Sequence, residues 1–450
     1  MPSAPKKVLI LGGGIAGLLA AWHLRGTACD IELWEASAAL GGWAQTLPWP
    51  GPQGESGWLE RGPQGLRFTR DGALSSLLGE LHLPLLPILP KGHQWLGRQG
   101  CRFPSPATPA GLLQAPGLNL GARLRLLLEP FVPPGQGLTE NLHDFMGRRL
   151  GPAFAREWLP ALVAGVFAAP PSRIGLEAIP QLQALDRRGG ILLGSLRGGR
   201  ERTRVPLGGT GALASALAES LTCAHLNQPA LAIEPLPEHR WRILTHDRSV
   251  EADQVVLALP PKACATLLQS VAPATARRLN GIPMLDLRVW HSRHAPIPGW
   301  ERGFNLLLHP PDAKGLLGVL GLPATDPRGI PGLLQVRSYL GGAYAVDPTL
   351  ATWPGLAAEL RRWLPELSPA VQVREEACPK AFPLLEPGHG AQVTTLLASL
   401  PPTLHWIGAG RFGPGISALA EGILDWARST PICPPEPNQP YSGPDLVPAY

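Results

Sequence analysis

Residues 8–46 constrain this chain more than any other stretch: VLILGGGIAGLLAAW, IELWE and LGGWAQT follow one another in close order. Val8 to Leu11 form a short, wholly apolar run of the kind a strand buried on both faces needs. Gly12, Gly14 and Gly17 come next in G-x-G-x-x-G order. In that pattern the first glycine permits a tight turn. The second lets the backbone approach a pyrophosphate, and the third lets the following helix pack closely on the strand. The helix expected over 15–25 points its first N–H groups and the positive end of its dipole at that phosphate. A second strand over 30–34 ends at Glu35, 18 residues past Gly17, near the distance of about 20 at which a carboxylate takes ribose hydroxyls. A carboxylate there would repel a 2′-phosphate, which favours FAD or NAD over NADP. A secretory signal peptide is not expected, because three consecutive glycines interrupt the apolar stretch after Lys6 and Lys7 and no small-residue cleavage site follows.

With 450 residues, 44% of them hydrophobic, the chain can bury a large core and divide into two or three domains. Its 53 glycines and 53 prolines make it loop-rich, but the hydrophobic content keeps it in the globular class. A net charge of +5 spread over a weakly charged chain suits anionic small molecules or an anionic membrane face and is too diffuse for nucleic acid. The six cysteines, Cys29, Cys101, Cys223, Cys264, Cys378 and Cys433, stand far apart and read as reduced, mostly buried thiols. No metal ligand set is expected, and His291 and His294 read as surface residues. There is no G-x-S-x-G and no H-E-x-x-H. No apolar run reaches the ~18 residues of a spanning helix.

Along the chain, 58–67 reads as a strand and turn, and 71–81 as a helix. The prolines of 82–90 mark a connection. Helices are expected over 121–129, 141–150 and 152–167, with Thr139 as an N-cap for the second. Strand and helix patterns return at 204–221 and 254–259, and β-like runs fill 284–342. A last strand at 405–408 leads through a glycine loop into a helix over 416–427, which would bring a second dipole to the cofactor. The fold class is therefore α/β: a discontinuous Rossmann-like FAD-binding domain, an inserted mixed-sheet domain and a helical domain. The expected division is 1–90, 201–260 and 381–429 for the nucleotide domain, 91–200 for the helical region, 261–380 for the sheet, and a disordered tail over 430–450.

ALGGWAQT at 39–46 and LERGPQGLR at 59–67 resemble the flavin amine-oxidase superfamily and, through the tryptophan at Trp43, its porphyrinogen-oxidising members. Residues 141–193, with Gly-Val-Phe-Ala at 165–168, are similar to the helical segment of that family. LGGTGAL at 207–213, EADQVVLALP at 251–260 and the segment 406–422 are similar to its later flavin-binding parts. The resemblance implies FAD as cofactor, contacted by Gly12, Gly13, Gly14, Ile15, Ala16, Gly17, Glu35, Ala36, Gly42, Trp43, Gly62, Pro63, Gln64 and Gly65. It places Ala230 near the adenine, and Ala409, Gly415 and Ile416 near the isoalloxazine or ribityl chain. Where family members carry arginines, this chain has Gln64 and the region around Lys91, so Lys91 or Arg98 would supply the charge for a substrate propionate, with Gly165 beside the substrate. A lysine there would act as a point charge without a bidentate fork.

The implied activity is oxidation of a porphyrinogen to a porphyrin with dioxygen as acceptor, in haem biosynthesis. The flavin carries the hard chemistry, so no catalytic base is named. Implied partners are a tetrapyrrole, dioxygen, a second copy of the chain and a membrane surface. The implied location is the cytoplasm, peripheral on its membrane, with the apolar segment around Arg123 and Arg125 as the contact. The alternatives are a coproporphyrinogen, amine or polyene substrate, or a flavin-binding homologue without catalysis. Only four tyrosines, Tyr339, Tyr344, Tyr441 and Tyr450, are available for the aromatic cage an amine oxidase needs.

Overall fold

A computed structural model of the chain describes residues 5–86, 92–105, 118–135, 140–191, 202–221, 223–430 and 432. Lys91, Thr139 and the tail expected to be disordered, apart from residues 430 and 432, lie outside the described residues. The apolar run at the start becomes the strand Lys6–Leu11, the centre of a five-stranded parallel sheet. Ile10 pairs with Leu33 of Cys29–Trp34 on one side and with Val256 of Gln254–Leu257 on the other. Ala224–His225 and Leu404–Trp406 complete the two edges. In chain order the strands lie 3-2-1-4-5, so the direction of winding switches at the first strand, where dinucleotides bind in such sheets. Val8, Leu9, Ile10 and Leu11 are all essentially inaccessible, each stabilising the fold by about 1.5–3 kcal/mol.

A second sheet of seven strands runs in the order Gln372–Pro383, Met284–His294, Leu334–Gly341, Leu316–Gly321, Phe304–Leu308, His93–Arg98 and Cys101–Pro104. Its pairings are antiparallel except for Phe304–Leu308 with His93–Arg98. The hairpin at 93–104, far away in sequence, is thus an edge of this sheet. One face packs on the helix Trp353–Trp363 through Val336, Leu340, Leu356 and Trp363. The other meets helices of the 118–191 region, where Leu307 and Tyr339 join a core with Trp158, Leu159 and Ala164.

Four local expectations need correction. The helix expected over 152–167 is two, Pro152–Glu157 and Leu159–Phe167, broken at Trp158; Pro160 has no N–H to give the carbonyl of Arg156. The cap of Leu142–Leu150 is Asn141, whose side chain accepts from Asp144 N at 2.9 Å, the role expected of Thr139. His291 and His294 are buried, 0% and 2% exposed, because their strand is the second of seven and both its neighbours pair along it. Among the cysteines, Cys101, Cys223, Cys264 and Cys378 are free thiols, but Cys29 is disulfide-bonded.

A buried charge network fastens the helical region. Arg149, fully inaccessible, pairs through Nε with Asp186 and donates to the carbonyls of Val132 at 2.7 Å and Asp186 at 2.8 Å. Glu129 lies 3.5 Å from its Nη1. Burial alone would raise the Asp186 carboxyl, but the Gly135 N–H, Arg148 and Arg149 together hold it below its ordinary value. The group therefore stabilises the fold fully above pH ~4 and loses its contribution as the pH falls through its lowered folded value. Replacing Arg149 by methionine removes the buried guanidinium that stands between two carboxylates and should cost about 3–5 kcal/mol at neutral pH. Denaturant titration of the variant and wild type should show that deficit at pH 7 and a smaller one at pH 3.

Candidate dinucleotide and substrate site

At the carboxyl end of the central strand the chain turns at Gly12, whose φ is +108°, and enters the helix Ile15–Leu24 with Gly14 as N-cap. The helix lies so close that a Cβ on Gly17 would sit 1.9 Å from the carbonyl oxygen of Gly12. Gly14 differs in kind: a Cβ there would meet nothing nearer than Gly42 Cα at 4.0 Å. Its open side is where a phosphate can reach the first-turn N–H groups, which no side chain caps. A matching arrangement comes from the far end of the chain. Gly415 has nothing within 4 Å of its missing Cβ and is the uncapped N-cap of Ile416–Ser429. That helix packs on Ile15–Leu24 through Leu419, Ala420 and Ile423. Two helix N-termini, both open and without side-chain caps, are each able to take an anion such as a dinucleotide phosphate.

Glu35 stands at the end of the second strand, half-buried. Its Oε2 accepts from Gly13 N at 2.7 Å, and its Oε1 accepts from Ser37 N at 2.8 Å and Ser37 Oγ at 2.6 Å. Ala36 beside it is exposed. The backbone of 227–228 pairs with 35–37, and Ala230 packs against the Trp34 and Trp241 core. Gly42 approaches the loop from across, its missing Cβ 3.2 Å from Gly14 Cα. Trp43 follows, with the Arg61 guanidinium 4.9 Å above its ring.

The turn Gly62, Pro63, Gln64 and Gly65 is held from behind by groups that sequence reasoning missed. Glu60 is fully buried and accepts from Thr210 N at 3.1 Å, Thr210 Oγ1 at 2.5 Å and Thr46 Oγ1 at 2.9 Å. Thr210 Oγ1 also lies 3.1 Å from the Pro63 carbonyl. Arg328, clamped by Asp326, donates to the Gln64 carbonyl at 2.7 Å. Gln64 itself folds back, Nε2 donating to Gly62 O at 2.7 Å. An acid closing the strand at LERGP was the available signal for Glu60; Arg328 carried none, being more than 260 residues from the turn it supports. At the other wall, Ala409 begins a single helical turn and Ile416 is buried. His389 donates from Nε2 to the Gly410 carbonyl at 2.7 Å, and burial holds its imidazole below its ordinary value, so the neutral ring buttresses this loop.

The candidate substrate residues divide. Gly165 is exposed at the end of Leu159–Phe167, with a missing Cβ that would meet Leu307 at 3.1 Å. Val166 beside it is 58% exposed. The loop after it is fixed to the sheet by Ala343 N donating to Ala168 O at 2.7 Å. Arg98 is not presented to a ligand: it pairs with the Glu157 carboxylate and donates to the Glu157 carbonyl at 3.1 Å.

Comparison with known proteins agrees with this geometry. The family model for flavin containing amine oxidoreductases matches residues 15–377. Human protoporphyrinogen oxidase is 31% identical over 386 residues, covering 75% of this chain and 78% of its own. Coproporphyrinogen III oxidase of Mycobacterium bovis is 26% identical over 453 residues, covering 92% and 95%. Among solved structures, a protein of Exiguobacterium sp. 255-15 superposes with a TM-score of 0.77 at 20% identity, covering 95% of this chain and 99% of that one. Cyclohexylamine oxidase of Brevibacterium oxydans does so at 0.67 and 18%, covering 95% and 98%. The chain belongs to the flavin containing amine oxidoreductases, among relatives of the protoporphyrinogen oxidases, and its cofactor is FAD.

Proposed function

We propose that the protein oxidises protoporphyrinogen IX to protoporphyrin IX with dioxygen as the terminal acceptor. The observation that carries this reading is the human protoporphyrinogen oxidase match across 78% of that enzyme. When bound, FAD supplies the two-electron acceptor. Conversion of the porphyrinogen would remove four meso C–H and two pyrrole N–H hydrogens in three two-electron oxidations, and three dioxygen molecules would leave as three hydrogen peroxide. The chain's own contribution is binding and exclusion of water. Gly165, Val166, Leu307 and Tyr339 offer an apolar surface to a flat ring system, while Glu60, Thr210 and Arg328 hold the 62–65 turn. With Arg98 committed to Glu157, propionate recognition falls to other cations, Lys91 remaining a candidate.

Coproporphyrinogen III is the second reading, favoured by the Mycobacterium bovis relative that matches 92% of this chain. Anaerobic mixing of the flavin-loaded protein with each porphyrinogen separates them. Protoporphyrinogen should bleach the flavin and yield fluorescent porphyrin faster; faster bleaching by coproporphyrinogen would replace the first reading with the second, and a flavin that stays oxidised with both would end both.

We also propose a peripheral membrane contact on the helix Leu120–Leu127 and the turn after it. No described helix is long and apolar enough to cross a membrane. Leu120 is 74% exposed and Phe131 82%, with Leu124, Leu127 and Leu128 also outward, an apolar face suited to lie in a lipid interface. Leu126 is buried and is left unchanged in the test. A variant with Leu124, Leu127 and Leu128 changed to serine should retain its flavin and lose co-sedimentation with anionic liposomes; undiminished lipid binding would refute the contact. Gly14→Val should abolish FAD binding, because its side chain fills the open side of the cradle. A purified variant with full flavin occupancy by absorbance would overturn the cradle assignment.

A further inference from the structure

The edge of the parallel sheet carries a cluster that sequence spacing does not reveal. Glu32 lies on the second strand, Cys223 just before the edge strand and His225 within it. The register Leu33 to Ala224 and Trp34 to His225 puts Glu32, Cys223 and His225 on one face, since side chains alternate along each strand. One carboxylate oxygen, the Cys223 sulfur and one imidazole nitrogen all lie within 4.8 Å of one another. Cys223 Sγ is 3.1 Å from His225 Nε2, and His225 Nε2 is 3.8 Å from Glu32 Oε2. Ligands bonded at about 2.0–2.3 Å to a tetrahedral ion stand roughly 3–4 Å apart, so these three need little movement to share one.

The surroundings fit that use. Lys7 Nζ takes Glu32 Oε1 at 2.6 Å, which fixes the carboxylate and leaves Oε2 on the His225 side, with Trp34 Nε1 at 3.2 Å. Such an outer partner orients a metal-binding group. The side chains of Glu32 and His225 retain 16% and 31% of their exposure, so the cluster is reachable from solvent and has room for water as a fourth ligand. Thiolate with imidazole and carboxylate selects zinc-class ions over magnesium or calcium.

We propose that Glu32, Cys223 and His225 form a three-ligand site for a zinc-class divalent cation at the adenosine edge of the flavin domain. The site joins two strands that otherwise share a two-residue ladder. Because the His225 carbonyl accepts from Glu35 N at 2.9 Å, a bound ion also stiffens the segment that presents the ribose carboxylate. The inference is independent of the porphyrinogen reading.

The test uses the flavin-loaded protein, stripped with a chelator and titrated with Co2+, whose long-wavelength ligand-field bands fall beyond the flavin's own absorption. One equivalent should give intense tetrahedral bands that Zn2+ displaces. Cys223→Ser and Glu32→Gln, each checked for retained flavin, should weaken binding more than about tenfold, while Cys101→Ser leaves it unchanged. Absence of tetrahedral bands in the wild type, undiminished binding in both ligand variants, or loss of binding in Cys101→Ser would each overturn the site.

Discussion

The approach of Gly17 to the carbonyl oxygen of Gly12 is the contact on which the rest depends. Any side chain at 17 would need to occupy space 1.9 Å from that oxygen, so the first helix lies against the turn only because nothing is there. That closeness sets the helix axis, and the axis aims its N–H groups at one point above the sheet. The parallel sheet then supplies the rigidity: four consecutive inaccessible residues on the central strand leave no freedom for the turn to drift. A dinucleotide site is, physically, a helix end held still by packing it does not itself make.

Behind the turn at 62–65 the same problem is solved with polar groups. Glu60 is a fully buried carboxylate, and burial of such a charge is expensive unless its oxygens are satisfied. Two threonines from different parts of the chain, Thr46 and Thr210, provide donors, and Arg328 stands within 3.9 Å. The consequence is specificity of arrangement: the turn at 62–65 can occupy one position relative to the segment 207–211, since any other would leave the carboxylate unpaired. Helix packing positions the phosphates; this buried hydrogen-bonded acid positions the turn.

How much of this was legible in the sequence follows from the range of each interaction. The first strand, its glycine turn, the helix after it and the returning strands are local patterns, written within 40 residues or as apolar runs, and these elements stand where the sequence put them. So does the open glycine at 415. What escaped were relations between distant segments. His291 and His294 read as surface residues because polar side chains on a strand usually face water; the strand lies inside a seven-stranded sheet, and only topology says so. Arg98 looked available because Glu157, its partner, is 59 residues away. The single helix expected over 152–167 broke at a proline that was visible, where the apolar periodicity was given more weight than the missing N–H. The Glu32, Cys223 and His225 cluster escaped because its members are not spaced like ligands and meet only across neighbouring strands.

The pairing of the Ile15–Leu24 and Ile416–Ser429 helices also fixes when the cofactor site comes into being. One of these helix ends is made almost as soon as synthesis begins, and the other 401 residues later. The intervening sheets must close before the second dipole arrives. A ligand held by both helix ends stabilises the native state by mass action, and it does so only in a molecule whose two chain ends have already met.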